Sequence, residues 1–426
     1  MNNTILQKYI SKDKYNIIYD FFGIKFKKMR PLNDITANYK NKLAYIKQKT
    51  DKIKVAFIAS ENQKWCYQSL YELFEKDKRF EPVVLIYVTL RAHKGQDNTR
   101  LNLEENYNFF KDRGMNVEYA YKNDDYVDLK DFNPDIVFYE QPWGMPSIYK
   151  PQYVSDFALT YYMPYGIPLF DFKFDYTKKF HLYLHKLFTD SEITLNRLAK
   201  YNKKCFLNTE IVGYSKLDVY LDKISDNAEN YWKYPEKFKI IYAPHHSIEQ
   251  NSKYGTSTFN HNGKFILDLA KKYPDTTWIF KPHPRLKYTL SKHKVMTDSE
   301  INDYYNEWEK IGKVYTKGDY FGIFKTSDLM ITDCCSFLGE YLPSKKPVIR
   351  PLRKNMVKLN SLGKEIVKGY YEPKNNKELY EIFKKIVIER KDEKINTREN
   401  SIQKIIDFNE PSANKIYNSI TKELFT

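Results

Sequence analysis

Residues 238–247 read FKIIYAPHHS, residues 276–285 read TTWIFKPHPR, and residues 328–336 read DLMITDCCS. Each stretch begins as a short apolar run, which is typical of a strand buried in a parallel sheet, and ends in polar or charged residues. The carboxyl ends of the strands of an open parallel sheet lie at one edge, which is where ligands bind. These stretches therefore predict a doubly wound α/β sheet with a ligand site at that edge.

Further apolar runs with helical patterns between them extend this arrangement along the chain. Predicted strands occupy residues 54–59, 82–88, 135–139, 158–162, 187–190, 210–213 and 347–349, and predicted helices occupy residues 62–76, 259–272, 300–310 and 376–390. A chain of 426 residues is too long for one ordinary core, so two domains are expected. We predict two Rossmann-like, doubly wound domains that face a ligand-binding cleft.

The predicted organisation has four parts, with a polar linker at residues 225–236. A basic and aromatic N-terminal arm, two Rossmann-like domains and a C-terminal helix occupy residues 1–50, 51–228, 229–400 and 401–426. The arm contains FFGIKFKK at residues 21–28. We expect either a segment that packs on the first domain or an interfacial anchor whose Lys side chains meet an anionic membrane surface.

The composition limits the classes of partner. Lys and Arg total 70 against 54 Asp and Glu, a formal net charge of +16 that attracts polyanions such as anionic headgroups or phosphorylated substrates. Because the sequence contains no zinc-finger spacing, RNP-like aromatic string or long basic block, no nucleic-acid partner is expected. The four Cys include no CxxC pair, which argues against a disulfide framework and a structural zinc site.

The expected location is cytoplasmic, or peripheral at the inner face of the plasma membrane. Residues 1–20 lack the continuous apolar core of a signal peptide. No stretch approaches the roughly 18 apolar residues that a spanning helix needs.

His283 is the strongest candidate for a catalytic residue. The flanking Pro282 and Pro284 restrict the loop and hold the imidazole in one place. Together with Lys281 and Arg285, His283 offers three donors to the charge of a transferring or leaving phosphate. The alternative is a histidine that only caps the following helix.

His245 and His246 are consecutive, so their side chains are not expected to face the same way. One is expected to point into the cleft, and the other to pack or to bind backbone. No His-x-x-x-His pattern or nearby carboxylate completes a metal site, so we predict a general base or a phosphate ligand and no metal. The sequence does not separate the two histidines.

Ser336 occupies the predicted start of a helix, where its hydroxyl caps the helix and free N–H groups suit a pyrophosphate. Glu340, four residues later, is a candidate ligand for ribose hydroxyl groups. The fingerprints GxGxxG and GxxxxGK[ST] are both absent, which argues against an NAD enzyme or a P-loop kinase. We interpret Cys334 and Cys335 as small buried hydrophobes rather than nucleophiles.

The order APHHS, KPHP and ITDCCSFLGEYL with KKPVI resembles the CDP-glycerol glycerophosphotransferase family, whose members build teichoic-acid-like polymers. The resemblance covers residues 238–350. It implies a GT-B fold with an N-terminal acceptor domain and a C-terminal nucleotide-donor domain. It also implies that KPHP holds the catalytic His283, and that residues 332–336, which include Asp333, contact the nucleotide phosphates.

Two segments depart from the family's pattern. Its His-Gly-Thr-Pro motif is matched nearest by MPYGIP at residues 163–168, which makes Tyr165 and Gly166 the candidate acceptor-side residues. A Tyr side chain, whose pKa is about 10, is a poor base at neutral pH. The family's Ala-Pro-Thr segment is replaced here by Ala-Pro-His-His. The base is therefore expected at His245 or His246, with Tyr165 orienting the acceptor.

The predicted function is transfer of a polyol-phosphate group, of the glycerol-phosphate type, from a CDP-activated donor to a hydroxyl group of a surface or capsular polysaccharide or of a lipid-linked acceptor, with release of CMP. No cofactor is expected, because Lys, Arg and a helix dipole supply positive charge. Two alternatives stay open. One is a GT-B glycosyltransferase that uses a nucleotide sugar in capsule or lipopolysaccharide synthesis, and the other is a non-catalytic scaffold of a capsule-assembly complex.

Overall fold

The computed structural model describes residues 7–10, 16–21, 24–29, 32–96, 100–171, 179–201, 207–221, 229, 231–249, 255–316 and 320–426. Its strands are β1 (Gln7–Ile10), β2 (Asn16–Phe21), β3 (Ile24–Met29), β4 (Ile53–Ala59), β5 (Phe80–Ile86), β6 (Val117–Tyr119), β7 (Tyr121–Lys122), β8 (Asp125–Tyr126), β9 (Ile136–Tyr139), β10 (Leu159–Tyr162), β11 (Lys186–Thr189), β12 (Thr209–Ile211), β13 (Phe238–Ala243), β14 (Thr276–Phe280), β15 (Lys313–Val314), β16 (Leu329–Thr332) and β17 (Val348–Ile349). Its α-helices are α1 (Leu32–Lys47), α2 (Gln68–Lys76), α3 (Leu90–His93), α4 (Leu103–Lys111), α5 (Pro151–Val154), α6 (Lys179–Leu182), α7 (Glu192–Tyr201), α8 (Phe259–Lys272), α9 (Leu286–Lys292), α10 (Asp298–Ile311), α11 (Phe321–Thr326), α12 (Cys335–Glu340), α13 (Ser361–Val367), α14 (Asn376–Phe383), α15 (Ile395–Ile405) and α16 (Ser412–Phe425).

The chain forms two compact units. Unit 1 comprises Met1–Gly166, Phe172–Asp218 and Phe408–Thr426, and unit 2 comprises Ile167–Asp171 and Val219–Asp407. The division near residue 218 comes earlier in the chain than the predicted boundary after residue 228. The predicted linker lies largely outside the described residues. Residues 1–50 and α16 are parts of unit 1 rather than separate segments, whereas α15 belongs to unit 2.

Unit 1 is built on a parallel sheet, which in the described residues has seven strands in the order β12-β11-β10-β9-β4-β5-β6. β4 pairs with β5 on one side and with β9 on the other, so the sheet is doubly wound about β4. The near-continuous apolar sequences IKVAFIA of β4 and IVFY of β9 are buried, as a parallel sheet covered on both faces requires.

Unit 2 has a second parallel sheet, with the order β15-β14-β13-β16-β17 over the residues that the structure describes. β13 pairs with β14 and β16, so this sheet is doubly wound about β13. Its core is strongly aromatic. Trp278 and Phe280 of β14 pack on Trp308 of α10, and the rings of Phe280 and Trp308 stack with centroids 5.2 Å apart. The predicted α/β class with two Rossmann-like domains is confirmed.

Every predicted strand is present in the structure. The strands that were not predicted are the edge strands β6 and β15 of the two parallel sheets and the strands outside those sheets, which are β1, β2, β3, β7 and β8. β6 (VEY) and β15 (KV) are short and partly polar, because an edge strand has one covered flank and needs no apolar run. The helix predicted over residues 62–76 is interrupted. Trp65 is extended between a 3₁₀ turn and α2, and its ring and that of Tyr67 pack on Phe57 with centroids 5.7 and 5.6 Å away.

Helix α1 is the part of the N-terminal arm that packs on unit 1. Ile35, Tyr39 and Ile46 of α1 are buried. The Tyr39 hydroxyl lies 2.5 Å from Oγ1 of Thr160 in β10. For residues 21–28, on which the membrane-anchor hypothesis depends, the backbone of β2 and β3 pairs in an antiparallel hairpin, but the side chains lie outside the described part of the chain. Among the described residues, no helix combines the length and apolar character needed to cross a bilayer.

Asp135 connects α1 and the residues that follow it to the parallel sheet of unit 1. Its buried carboxylate accepts hydrogen bonds from Lys42 Nζ at 2.9 Å, from Lys49 Nζ, and from the N–H of Lys54 at 3.0 Å. Burial raises the pKa of Asp135, but the hydrogen bonds from Lys49 and Lys42 outweigh it and hold the pKa below its usual value. Two of the Lys side chains that contribute to the net positive charge are thus paired with a carboxylate inside unit 1.

Replacing Asp135 with Ala should lower the free energy of unfolding by about 2–4 kcal/mol, because two largely buried ammonium groups and one N–H lose their acceptor. Urea unfolding followed by circular dichroism measures this change. The exposed Asp51→Ala is the control and should cost less than about 0.5 kcal/mol. Equal losses in the two variants would show that Asp135 does not hold α1.

Candidate active site

Three loops of unit 2 start side by side at the carboxyl edge of its sheet. β13 lies between β14 and β16 and pairs with both in parallel, so the three strands end at one level. The segments that follow them begin at Pro244, Lys281 and Asp333. The structure therefore brings together the three motifs that the sequence analysis singled out.

The fold gathers His245, His246 and His283 into one cluster. Ring centroids lie 4.5 Å apart for His245 and His246, 4.9 Å for His245 and His283, and 4.2 Å for His246 and His283. The expectation that the two consecutive rings face different ways is wrong, because the backbone bends at His246 and both rings meet the third. The loops are fastened together by the N–H of His283, which donates to the carbonyl of Pro244 at 3.0 Å.

Backbone donors face Nδ1 of two of these imidazoles. The N–H of Ser247 donates to Nδ1 of His245 at 3.2 Å, and the N–H of Arg285 donates to Nδ1 of His283 at 3.1 Å. The Ser247 hydroxyl, which accepts from the N–H of Thr256, lies 2.7 Å from the same atom of His245 and can donate to it as well. A neutral imidazole whose Nδ1 accepts a hydrogen bond carries its proton on Nε2. Both Nε2 atoms are therefore donors, which suit the oxygens of an anion. A metal ion would need a lone pair on Nε2 instead.

The three imidazoles are neutral at pH 7. Burial lowers the pKa of each, to about 4 for His246 and about 3 for His283, and well below its usual value for His245. The positive charges of Lys281 and Arg285 lower the pKa of His283 further, so both cations lie close to the cluster. Lys281 is buried, with Nζ 4.9 Å from the ring centroid of Tyr320, whereas Arg285 is exposed.

Asp333 holds the loop after β13 and the start of α8. Its buried Oδ1 accepts from the N–H of His245 at 2.6 Å. Its Oδ2 accepts from the N–H and the hydroxyl of Thr258, at 2.5 and 2.7 Å. Both carboxylate oxygens thus hold loops of the protein. The predicted contact of residues 332–336 with nucleotide phosphates stays a prediction. Burial raises the pKa of Asp333.

Ser336 lies in the first turn of α12, not at its cap. The helix begins at Cys335 and its N-cap residue is Cys334, two positions earlier than a Ser336 cap requires. Ser336 is half-buried, with Oγ 3.7 Å from Sγ of Cys334. Burial raises the pKa of the Cys334 thiol to about 11 and raises that of Cys335 as well, which agrees with a structural role for both thiols.

Glu340 is buried at the end of α12. Its Oε2 accepts a hydrogen bond from the hydroxyl of Tyr320 at 2.5 Å, and its carbonyl accepts one from the hydroxyl of Tyr220 at 3.0 Å. The carboxylate thus lies beside the aromatic side chains around Lys281. Its predicted contact with ribose stays a prediction.

Unit 1 places a second carboxylate at its own sheet edge, and sequence reasoning missed it. Glu140 directly follows β9 and is buried. Its Oε2 accepts from the N–H and the hydroxyl of Ser60 at 3.0 and 2.8 Å, and its Oε1 accepts from the N–H of Glu61 at 3.2 Å. Burial raises its pKa to about 7, although Lys64 and the bonds from Ser60 oppose this. The position of Glu140 at a sheet edge could have been predicted, because residues 135–139 were predicted as a strand and Glu140 directly follows them.

Glu140 and Asp333 occupy equivalent positions in the two sheets. In unit 1 the winding reverses between β4 and β9, and Glu140 after β9 holds the loop after β4. In unit 2 it reverses between β13 and β16, and Asp333 after β16 holds the loop after β13. Such reversal points are where open α/β sheets bind ligands.

Tyr165 joins the polar side chains near Glu140. Lys64 Nζ donates to Oε1 of Gln141 at 2.6 Å and lies 5.6 Å from the ring centroid of Tyr165. The Tyr165 ring also meets Trp143 edge to face, with centroids 5.9 Å apart. Gly166 has open space where a Cβ would lie, so no steric constraint requires glycine there.

No known protein-family model matches the chain, and neither does any curated protein. Solved structures of similar fold include the MnaA–UDP co-structure from S. aureus, the UDP-GlcNAc 2-epimerase from Neisseria meningitidis bound to UDP-GlcNAc, and the UDP-GlcNAc 2-epimerase from Methanocaldococcus jannaschii. Each is 15% identical with a TM-score of 0.53 over 87% of this chain, and the match covers 97%, 100% and 100% of theirs.

This likeness shows a fold of the GT-B type. It does not extend to the CDP-glycerol glycerophosphotransferase family, so that resemblance rests on the motifs of residues 238–350 alone.

Acid should destabilise the protein through the histidine cluster. Above pH 6.5 these imidazoles are neutral in both the folded and the unfolded state, so their full contribution to stability is present. As the pH falls below 6.5, the unfolded imidazoles take up protons and the buried ones do not, so the free energy of unfolding decreases until the pH reaches the folded pKa. In His246→Asn, the loss of unfolding free energy between pH 6.5 and 4.5 should be smaller than in the parent by about 2 kcal/mol.

Urea unfolding at four pH values across this interval tests the effect. His261→Asn, at an exposed position of unit 2, is the control and should follow the parent. A His246→Asn variant that loses as much stability as the parent would contradict burial of a neutral cluster.

Proposed function

We propose that the chain is a GT-B enzyme that transfers a sugar from a nucleotide sugar to a hydroxyl group of an acceptor. The observation that carries the proposal is the pair of Nε2–H donors of His245 and His283 beside Lys281 and Arg285. These groups match the oxygens of a diphosphate in number and charge. The nucleotide-bound neighbours of the same fold, one with UDP and one with UDP-GlcNAc, add support.

Unit 2 is assigned the donor. In the transfer step, the acceptor oxygen bonds to the anomeric carbon while the bond from that carbon to the β-phosphate oxygen breaks. Both electrons of the broken bond pass to the leaving diphosphate. Lys281, Arg285 and the Nε2–H groups stabilise the charge that develops there, and because the donors are fixed before reaction, little reorganisation is needed. This arrangement works without a metal ion.

Unit 1 is assigned the acceptor, with Glu140 as the general base. A carboxylate whose pKa is about 7 is well matched to taking the hydroxyl proton near neutral pH. His245, which was predicted as a possible base, has a hydrogen bond at Nδ1 and a proton on Nε2, so it offers no free lone pair. Tyr165, beside Lys64, is assigned to orienting the acceptor.

A second candidate is transfer of a polyol phosphate from a CDP-linked donor. It is favoured by the order of the motifs APHHS, KPHP and ITDCCS. In that reaction the acceptor oxygen attacks the β-phosphorus and CMP leaves, and the same donors stabilise the phosphates.

Ligand binding and product analysis separate these reactions. Thermal unfolding is measured with UDP-GlcNAc, UDP-glucose, GDP-mannose, CDP-glycerol, CDP-ribitol and CMP, since a ligand that binds the folded state raises the midpoint. A glycoside plus a nucleoside diphosphate identifies sugar transfer, and a phosphodiester plus CMP identifies the second candidate. A C2-epimerised nucleotide sugar without acceptor would contradict both. No shift with any nucleotide would support a non-catalytic scaffold and overturn the proposal.

His283→Asn should lower turnover by at least ~100-fold, because a fixed donor to the leaving phosphate is lost. The variant should unfold cooperatively like the parent, so that the loss is one of chemistry. His293→Asn, at an exposed position directly after α9 and outside the histidine cluster, should retain full turnover. Equal turnover in the two variants would remove His283 from the mechanism.

Glu140→Gln should lower kcat/KM by ~100-fold or more at pH 8. In the parent, kcat/KM should rise with pH through an apparent pKa of about 7, because only the ionised base accepts the proton. The rise of kcat/KM with pH should be absent in Glu140→Gln. It should be unchanged in the control Glu75→Gln, which alters an exposed side chain.

Stability gives a readout of Glu140 that is independent of activity. Its pKa is raised on folding, so the free energy of unfolding falls as the pH rises from about 4.5 to 7 and the buried carboxyl ionises. Glu140→Gln should lack this fall. A variant with the parent's pH dependence of both stability and kcat/KM would refute the assignment.

A further inference from the structure

Unit 2 contains a cavity of about 490 Å³ that the proposed reaction does not use. The cavity lies where α8 and α14 begin, beside the loop that follows β17. None of the three clustered histidines lines it. Its volume is that of a site for a small organic ligand.

The wall of the cavity is basic. Arg353, Lys354, Lys374 and His261 line it, and no Asp or Glu does among the described residues. The guanidinium of Arg353 is only partly satisfied, because Nη2 donates to the carbonyl of Glu249 at 3.1 Å but the buried Nε–H has no partner in the part of the chain that the structure describes. A buried donor of this kind costs free energy unless a ligand completes it.

Asn262 lines the same cavity and has an acceptor that is unpaired within the described part of the chain. The side chain is 4% exposed, and its Oδ1 has no hydrogen-bond partner among the described residues. The orientation of the amide is fixed. The hydroxyl of Thr258 donates its proton to Asp333, so Thr258 Oγ1 can only accept, and it accepts from Nδ2 of Asn262 at 2.8 Å. Oδ1 is therefore the unpaired end of the amide within the described structure, and a ligand group that reaches it must be a donor.

The floor of the cavity is apolar. Leu379, Pro351 and Pro373 are buried and line it together with the basic side chains. A ligand that fits needs an anionic group for Arg353 and Lys354, a hydroxyl group for Asn262, and a C–H face for the prolines. A phosphorylated monosaccharide has all three.

We propose that this cavity is a second ligand site, separate from the site of the diphosphate donor, and that it binds a sugar phosphate. The two sites are physically linked. Thr258, which orients Asn262, also donates to Asp333, and Asp333 accepts from the N–H of His245. Occupancy of the cavity therefore acts on the loop that carries the histidine cluster.

The test is isothermal titration calorimetry of the full-length protein with glucose 6-phosphate, glucose and inorganic phosphate, each with and without saturating UDP. Glucose 6-phosphate should bind at least ~10-fold more tightly than glucose or phosphate, and UDP should not compete. In the double variant Arg353→Gln/Lys354→Gln, its affinity should fall by ~10-fold or more. The control Lys111→Gln/Lys364→Gln removes the same charge at exposed positions outside the cavity and should bind like the parent.

Asn262→Ala tests recognition of the hydroxyl group. The preference for glucose 6-phosphate over inorganic phosphate should disappear in this variant, while phosphate binding itself stays. Competition by UDP, or loss of binding in His283→Asn, would place the ligand in the donor site and overturn the proposal. Equal affinity in the two double variants, in protein that unfolds like the parent, would overturn it as well.

Discussion

The arrangement of unit 2 depends on the buried carboxylate of Asp333. It receives the N–H of His245 on one oxygen and two donors of Thr258 on the other. These bonds fix the loop after β13 to the end of β16, and the His cluster, the start of α8 and the basic cavity all take their positions from that loop. Because a buried carboxylate is stable only when its oxygens are satisfied, the loop has little freedom to move.

Unit 1 also has a buried carboxylate that holds a loop at its sheet edge. Glu140 holds the loop after β4 through Ser60 and Glu61, as Asp333 holds the loop after β13. Both carboxylates stand where the winding of a parallel sheet reverses. Each carboxylate accepts two backbone N–H groups and one hydroxyl group. The pKa of Glu140 is about 7, so this carboxyl group can exchange a proton at physiological pH while it holds its loop.

Much of the fold could be predicted because buried parallel strands are continuous apolar runs. The apolar runs that open residues 238–247 and 276–285 are β13 and β14, and the strand edge correctly indicated the place of the His cluster. Three features could not be predicted from local sequence. The edge strands β6 and β15 carry little apolar signal, the roles of Asp333 and Glu140 depend on partners far along the chain, and the shared direction of His245 and His246 depends on a backbone bend.

The path of the chain through unit 1 has a consequence for biosynthesis. α16, whose Ile416, Ile420 and Leu424 are buried, belongs to unit 1 although it is translated after the whole of unit 2. The ribosome therefore completes the sequence of unit 2 before it synthesises α16. During that interval the apolar surface of α2 against which α16 packs is uncovered. Unit 1 thus exposes apolar surface while unit 2 is already able to fold, and exposed apolar surface of this kind favours aggregation.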